Sequence, residues 1–389
     1  AGREPVYRCE TTGFWEIPGT DSCIKIGGRM RAYAGVHEDN VQGGETDLNP
    51  NNITINGHTQ TDTFWMDADM RLNMDVRSQT EYGLLRGFFE FQTNDGNANS
   101  NGSPGMRHAY VQIGNFLFGK TWSLWTDLSY MNYGGALTIP GDDYTRVVQA
   151  RYTQPFGNGF EIAVALEDPA RQNQGNPGLS LLWPGVTDSR NEVPNFIARL
   201  SAKGDWGQAY VSGVVVDNSV RGPLLPGLGS AHETGFGVSA GLTLNVPTGE
   251  GDTFYLRGSF TDGANRYTST SGVRSSVSIN AAGTGFDTVE VWSAIAGFTH
   301  HWTPAVNTSI GVGYTNVDYN QTDAQVVAAL GANAAEEIFT VTGNIYWTPV
   351  KNFEVGFDVL WADRSVFANP GTDDSDDAFG ATLQVTRYF

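Results

Sequence analysis

The stretch Thr63–Arg77, TFWMDADMRLNMDVR, sorts its residues onto two faces with a period of two. Phe64, Met66, Ala68, Met70, Leu72, Met74 and Val76 fall on one side. Trp65, Asp67, Asp69, Arg71, Asn73, Asp75 and Arg77 fall on the other. Uninterrupted alternation of this length reads as a β-strand with one apolar and one polar face. The preceding strand, from about Cys23 to Val36, repeats it. Ile24, Ile26, Met30, Ala32 and Ala34 oppose Lys25, Arg29, Arg31 and Tyr33. Phe160–Leu166, Phe236–Val246 and Phe254–Phe260 follow the same rule, and the chain from Cys23 to Phe389 divides into sixteen such segments. Sixteen strands that close on themselves turn their apolar faces outward and their polar faces to a hole, an arrangement that a lipid bilayer rewards. The expected fold is therefore all-β, a sixteen-stranded antiparallel transmembrane barrel over 23–389.

Composition agrees. The 48 glycines and 12% aromatic residues suit many turns and aromatic belts. A mean hydropathy of -0.29 is no objection, because only alternate residues meet lipid. No apolar run of about 18 residues exists, so no transmembrane helix is expected. A net charge of -19 argues against nucleic acid as a partner. The sequence starting at Ala1 shows no signal peptide, as expected for a mature exported chain. Cys9 and Cys23 are the only cysteines. In an oxidising periplasm they would close a loop of about 15 residues, worth roughly 3 kcal/mol; two free thiols are the alternative. Residues 1–22 would then be an N-terminal periplasmic or lumenal segment closed by that bridge.

The connections alternate short and long. Short ones are expected near Ser78–Thr80, Gly157–Asn158, Gly204–Trp206, Pro247–Gly251, Pro304 and Pro349–Asn352. Long ones are expected over about 37–62, 94–104, 121–144, 168–193, 217–233, 263–287, 316–335 and 363–377. Short turns at one rim and long loops at the other mark an outer-membrane barrel. Aromatic spacing gives an independent check. Phe339 and Trp347, Phe353 and Trp361, Trp292 and Trp302, and Phe379 and Phe389 are pairs 8 or 10 residues apart, each on one face. At about 3.3 Å per residue and a tilt of about 40°, this spans roughly 20–25 Å, the height of the apolar band.

Inward basic residues gather on neighbouring strands. Counting from the short-turn rim places Arg29, Arg31, Arg71 and Arg86 near one height, as a basic wall at a pore constriction. Asp69 and Glu90 are available as wall partners, and an ion-pair ladder that stiffens the barrel is the alternative. Arg257 is a weaker candidate, and the facing of Arg146 and Arg151 stays open. The six histidines show no ligand spacing, and His300 and His301 point to opposite faces. Asp95, Asn97 and Asn99 lack the Gly and Glu of a calcium loop. No metal site, catalytic constellation or cofactor is expected beyond weak Ca²⁺ or other divalent binding at the acidic loops. The chain reads as no enzyme.

Several stretches resemble the sixteen-stranded outer-membrane porins, nearest to the alphaproteobacterial type. They are Cys9 with Phe14–Thr20 and Cys23–Gly28, then Thr80–Arg86, Gly114–Lys120 and Thr386–Phe389. The resemblance covers essentially the whole chain, by pattern rather than identity between motifs. It implies a homotrimer in the bacterial outer membrane. It also implies a third long loop, here about 121–144, folded into the lumen, with Asp127, Asp142 and Asp143 facing the basic wall and Lys120 joining that wall. Phe389 resembles the signal read by the barrel-assembly machinery. The function implied is a general diffusion porin for small hydrophilic solutes, filtered by size and charge. The acidic loop residues, such as Asp373, Asp374, Asp376 and Asp377, suggest modest cation preference. A sugar- or oligosaccharide-selective channel is the alternative, with Trp122, Trp125 and Tyr130 stacking on sugar rings; the blander role for these aromatics is packing the loop on the wall. Outward Met30, Met66, Met70 and Met74, beside small residues, suit a trimer contact together with the last strand. Lipid and lipopolysaccharide would be the other partners.

Overall fold

In the computed structural model, the described residues are 9, 13–37, 64–94, 105–127, 129, 146–169, 188–189, 193–221, 231–268, 276–279, 286–320, 334–367 and 375–389. The sixteen barrel strands are β1 (Cys23–His37), β2 (Phe64–Thr80), β3 (Gly83–Asn94), β4 (Gly105–Ile113), β5 (Phe116–Trp122), β6 (Arg146–Gly157), β7 (Phe160–Glu167) and β8 (Asn195–Gly204). They continue as β9 (Gly207–Arg221), β10 (Ala231–Asn245), β11 (Thr253–Asp262), β12 (Glu290–Thr303), β13 (Val306–Asp318), β14 (Ala334–Val350), β15 (Phe353–Phe367) and β16 (Ser375–Tyr388).

Each strand pairs antiparallel with its sequence neighbours, and β16 pairs with β1 from Arg29↔Tyr388 to His37↔Gly380, closing the ring. Phe389 and Gly28 add a reciprocal pair of backbone hydrogen bonds at 3.1 and 3.2 Å. Only glycine fits there, because a Cβ on residue 28 would overlap the Arg71 carbonyl and the Phe389 ring. Below this point Trp15 and Glu16 pair with Ile24 and Cys23, continuing the line that β16 leaves. Cys9 is disulfide-bonded to Cys23.

The exposed large side chains alternate as expected, with Phe64, Met66, Val111, Phe116, Phe236, Trp292, Trp302, Trp347 and Trp361 on the outer face. The short turns lie at one rim, but the first is displaced. β2 runs to Thr80 and the turn is Glu81–Tyr82, because the Thr80 hydroxyl donates to the Gly83 carbonyl at 2.7 Å and accepts from the Tyr82 N–H. The long connections fall mostly outside the described residues.

The inner face is not uniformly polar. Leu124, Trp125, Ala163, Ala165, Ile197, Val214, Val216, Ala264 and Tyr267 form a buried apolar cluster inside the ring. Strand alternation alone gives no sign of it, because its central member comes from a connection.

Candidate functional site: the lumenal wall

The inward faces of β1–β4 carry two clusters of guanidiniums. In the upper one Arg29 and Arg71 are direct cross-strand partners, a like-charge pair that is costly unless neutralised. Asp69, opposite Arg31, does this. Arg29 Nη2 lies 3.2 Å and Arg31 Nε 2.9 Å from its Oδ2, and the Asp69 side chain is fully buried. Arg31 also donates to Gln384 on β16 at 3.3 Å. Arg71 donates to Gln92 at 2.7 Å and lies 3.5 Å from Glu90. Glu90 accepts from Arg107 Nε at 2.8 Å. Four guanidiniums thus meet two carboxylates. Glu354 lies near Arg29, and Gln384 links Arg31 to Asp358, so further carboxylates flank the cluster. The cluster is partly wet, since the arginine side chains keep 14–21% exposure.

Arg107 escapes a period-two reading because the β3–β4 register shifts between Glu90 and Phe91, which frees it from strict alternation. His108 follows it, with Nδ1 3.0 Å from the Thr121 hydroxyl, and its Nε2 accepts from Arg146 at 3.3 Å. The Arg146 guanidinium also covers the Trp122 ring at 3.5 Å.

Arg86 is not at the height of the other three. It pairs with Arg77, six residues nearer the short turn than Arg71, roughly 20 Å along the strand. The displaced first turn accounts for the difference. Asp75 is the hub of this lower cluster, receiving forked hydrogen bonds from Arg77 (3.0 and 2.7 Å) and from Arg86 (3.0 and 2.8 Å). Arg86 rests on the Phe88 and Tyr110 rings at 5.1 and 5.5 Å, and Arg77 on Phe14 at 4.7 Å. Arg77 was visible in the inward alternation, but its partnership with Arg86 depends on the turn.

Lys120 does not belong to the wall. It pairs with Ala109 and alternates with Gly119 and Thr121, so it shares the outer face with Phe116 and Phe118. Its ammonium donates to the Met106 carbonyl at 2.7 Å.

The start of the third long connection lies on the inner wall of β6–β9. Glu167, fully buried, accepts from the Ser123 hydroxyl (3.0 Å) and the Leu124 N–H (2.7 Å). Gln149 and Arg151 both donate to the Trp122 carbonyl at 2.8 and 2.7 Å. Arg199 donates to the carbonyls of Leu124 and Thr126, and Gln208 to the Ser129 hydroxyl at 2.6 Å. Trp125 has no exposed surface and packs edge-on to Tyr267. It therefore serves packing, and no sugar ring can reach it. Asp127 is likewise buried, at 4% exposure; it caps the Ser129 N–H and interacts with Tyr210, so its carboxylate turns to the wall and away from the lumen. Tyr130, Asp142 and Asp143 lie outside the described residues. Arg257 is buried on β11, donating to Ser239 at 3.2 Å, and is not presented to a solute.

At the short-turn rim the two histidines converge after all. Asp252 is held well below the usual carboxylate range, first by the Thr248 hydroxyl and then by the His301 N–H and His300. The His300 Nδ1 and the His301 N–H lie 2.7 and 2.8 Å from its oxygens. Thr253 is the cross-strand partner of Thr299, which brings Asp252 beside the two histidines. Among the described residues no group of three His, Cys, Asp or Glu side chains is arranged for a metal.

On the outer face, Met30, Met66 and Met70 are exposed, and Met30 and Met70 are cross-strand partners. Further along the ring, at the long-loop ends, Asp262 pairs with Glu290 and Glu290 with Asp318, all on the lipid-facing parity.

The profile of the Porin subfamily matches residues 5–383. The porin Omp2b of Brucella suis biovar 1 (strain 1330) is 27% identical over 224 residues, 54% of each chain, so the match spans about half the length of that relative. The outer membrane channel DcaP of Acinetobacter baumannii superposes with a TM-score of 0.72 at 20% identity, over 95% of this chain and 97% of that one. OmpT of Vibrio cholerae, in its trimer form, gives 0.56 at 12% identity over 95% and 99%. With the profile covering nearly every residue and the ring closed through sixteen strands, the chain belongs to the Porin subfamily, barrels of the bacterial outer membrane.

Proposed function

We propose that the chain forms a water-filled pore through which small hydrophilic solutes and ions diffuse passively, filtered by size, polarity and charge. The observation that carries this reading is the contrast between an apolar outer face and an inner face holding partly wet guanidinium–carboxylate clusters. A polar solute crossing there exchanges part of its hydration for these groups, with no energy source required. The chain is a channel rather than an enzyme in this reading, and it needs no cofactor. A modest cation preference follows from the net charge of -19 concentrated toward the loops. The sugar-selective alternative loses support with Trp125 buried. Single-channel recording under a salt gradient tests the proposal. Large ohmic steps with a cation-favouring reversal potential are expected, and absence of conductance overturns it.

Self-association as a homotrimer fits the same reading. The outward patch Met30, Met66, Met70 and Met74, with β16 beside it, is its contact: thioether chains adapt to a protein partner, and the neighbouring Ala32 and Ala68 permit close approach. Weak divalent binding by the acidic long loops, bridging to lipopolysaccharide, belongs to the same proposal. Phe389, tied to Gly28 by its backbone, is the residue offered to the barrel-assembly machinery.

A further inference from the structure

The N-terminal segment meets the lumen at a point that the diffusion-pore reading does not use. Trp15 and Glu16 lie in the sheet, paired with Ile24 and Cys23. Trp15 is 59% exposed on the side away from the lumen. The residues before it turn the other way. Cys9 reaches the fully buried Cys23, whose cross-strand partner is Arg77 of the inner face. Gly13 lies against the side chain of Lys25, two residues further along the same inward face; a Cβ there would sit 3.5 Å from the Lys25 Cε. Phe14 covers the Arg77 guanidinium, and Ser22 bonds Ser78 at 2.7 Å. The disulfide and the two-residue strand therefore flank Phe14 and fix it on the inner wall near the short-turn mouth, beside the Arg77–Asp75–Arg86 cluster.

We infer that Phe14, held by the Cys9–Cys23 disulfide against Arg77, forms with Asp75 and Arg86 a second narrow, positively charged zone at the short-turn mouth, separate from the Arg29–Arg31–Arg71–Arg107 cluster. The inference rests on the diffusion-pore reading. Its chemistry is simple. The aromatic ring takes cross-section from the mouth and covers one face of a guanidinium, so that Arg77 keeps a fixed position. With Lys25, Arg77 and Arg86 against Asp75 and Glu16 on the same inward face, the zone keeps a positive balance.

The experiment compares purified wild type with Phe14→Ala, with Cys9→Ser/Cys23→Ser, and with Trp15→Ala, whose side chain lies outside the lumen. Each is checked for the folded, heat-modifiable form on a semi-native gel, then measured for single-channel conductance and for liposome swelling in neutral sugars of increasing size. Phe14→Ala and the double serine variant should raise conductance, on the order of 1.5-fold if the mouth adds a resistance comparable to the central zone, and admit larger sugars. Trp15→Ala should do neither. Phe14→Ala retains the disulfide and the strand pairing, so it reports even if the double variant fails to fold. Unchanged conductance and size limit in Phe14→Ala, with a conducting wild type, overturns the inference. A wild type that does not conduct overturns the pore reading instead.

Discussion

The inner face of β1–β4 and that of β6–β9 stand on different sides of the ring and use arginine in opposite ways. On β1–β4, Arg29, Arg31, Arg71, Arg77, Arg86 and Arg107 pair with carboxylates on the same wall and keep part of their surface wet. On β6–β9, Arg151 and Arg199 donate to backbone carbonyls of the connection that follows β5, beside an apolar cluster centred on Trp125. The difference teaches how a chain divides the work of a pore. In the diffusion-pore reading, the charges that face solutes are balanced by neighbours but left partly hydrated, so each contributes little to stability. The charges that hold the connection donate to its carbonyls beside an apolar cluster, where an unmade hydrogen bond is expensive.

The contrast is broken most severely by Trp125→Ala. Emptying a fully enclosed indole site should cost about 3–5 kcal/mol, read as a lower unfolding midpoint in denaturant together with a changed conductance as the connection loosens. Glu167→Gln comes next. It keeps the shape but weakens the hydrogen bonds from Ser123, Leu124 and Tyr267 to a buried charge, for a loss of about 2–3 kcal/mol measured in the same way. On the other wall Asp69→Asn keeps an acceptor for Arg29 and Arg31, which retain some exposure, and should cost about 1–2 kcal/mol, yet it should shift the reversal potential toward anions. Arg107→Ala should shift it toward cations, whereas Lys120→Ala should leave it unchanged, which separates inward from outward basic residues. An equal shift from the two would refute the assignment of faces.

The smallest effect concerns pH. Asp252 is depressed in the folded state, so its contribution is full above the ordinary carboxyl value of 3.8 and is lost as pH falls through the lower folded value. Wild type should therefore lose stability in strong acid more steeply than Asp252→Asn, followed by thermal unfolding across an acid series.

The barrel itself was legible in the residues, because alternation over Thr63–Arg77 and the spacing of Trp292, Trp302, Phe339 and Trp347 are direct images of a two-faced strand of fixed height. Arg29 and Arg71 were legible as inward residues of neighbouring strands, and they stand directly opposite each other. The same counting failed for Arg86, where one hydroxyl bond moved the turn, and it missed Arg107, where a bulge breaks the period. Lys120 failed for another reason: a motif match carries no parity. The roles of Trp125 and Asp127 depend on where a connection lies in three dimensions, and no periodicity encodes that.

The seam between β1 and β16 has a consequence for the order of events in folding. Arg31 and Gln384 are bonded although 353 residues separate them in the chain, so the first strand must wait for the last before the ring can close. Until then both flanking edges are open templates for wrong pairings. Trp15 and Glu16 occupy the lower part of the β1 edge with a contact that spans only a few residues, available as soon as β1 exists. The edge left waiting is then Gly28–His37, a shorter target that the last strand meets in one register, from Arg29↔Tyr388 to His37↔Gly380.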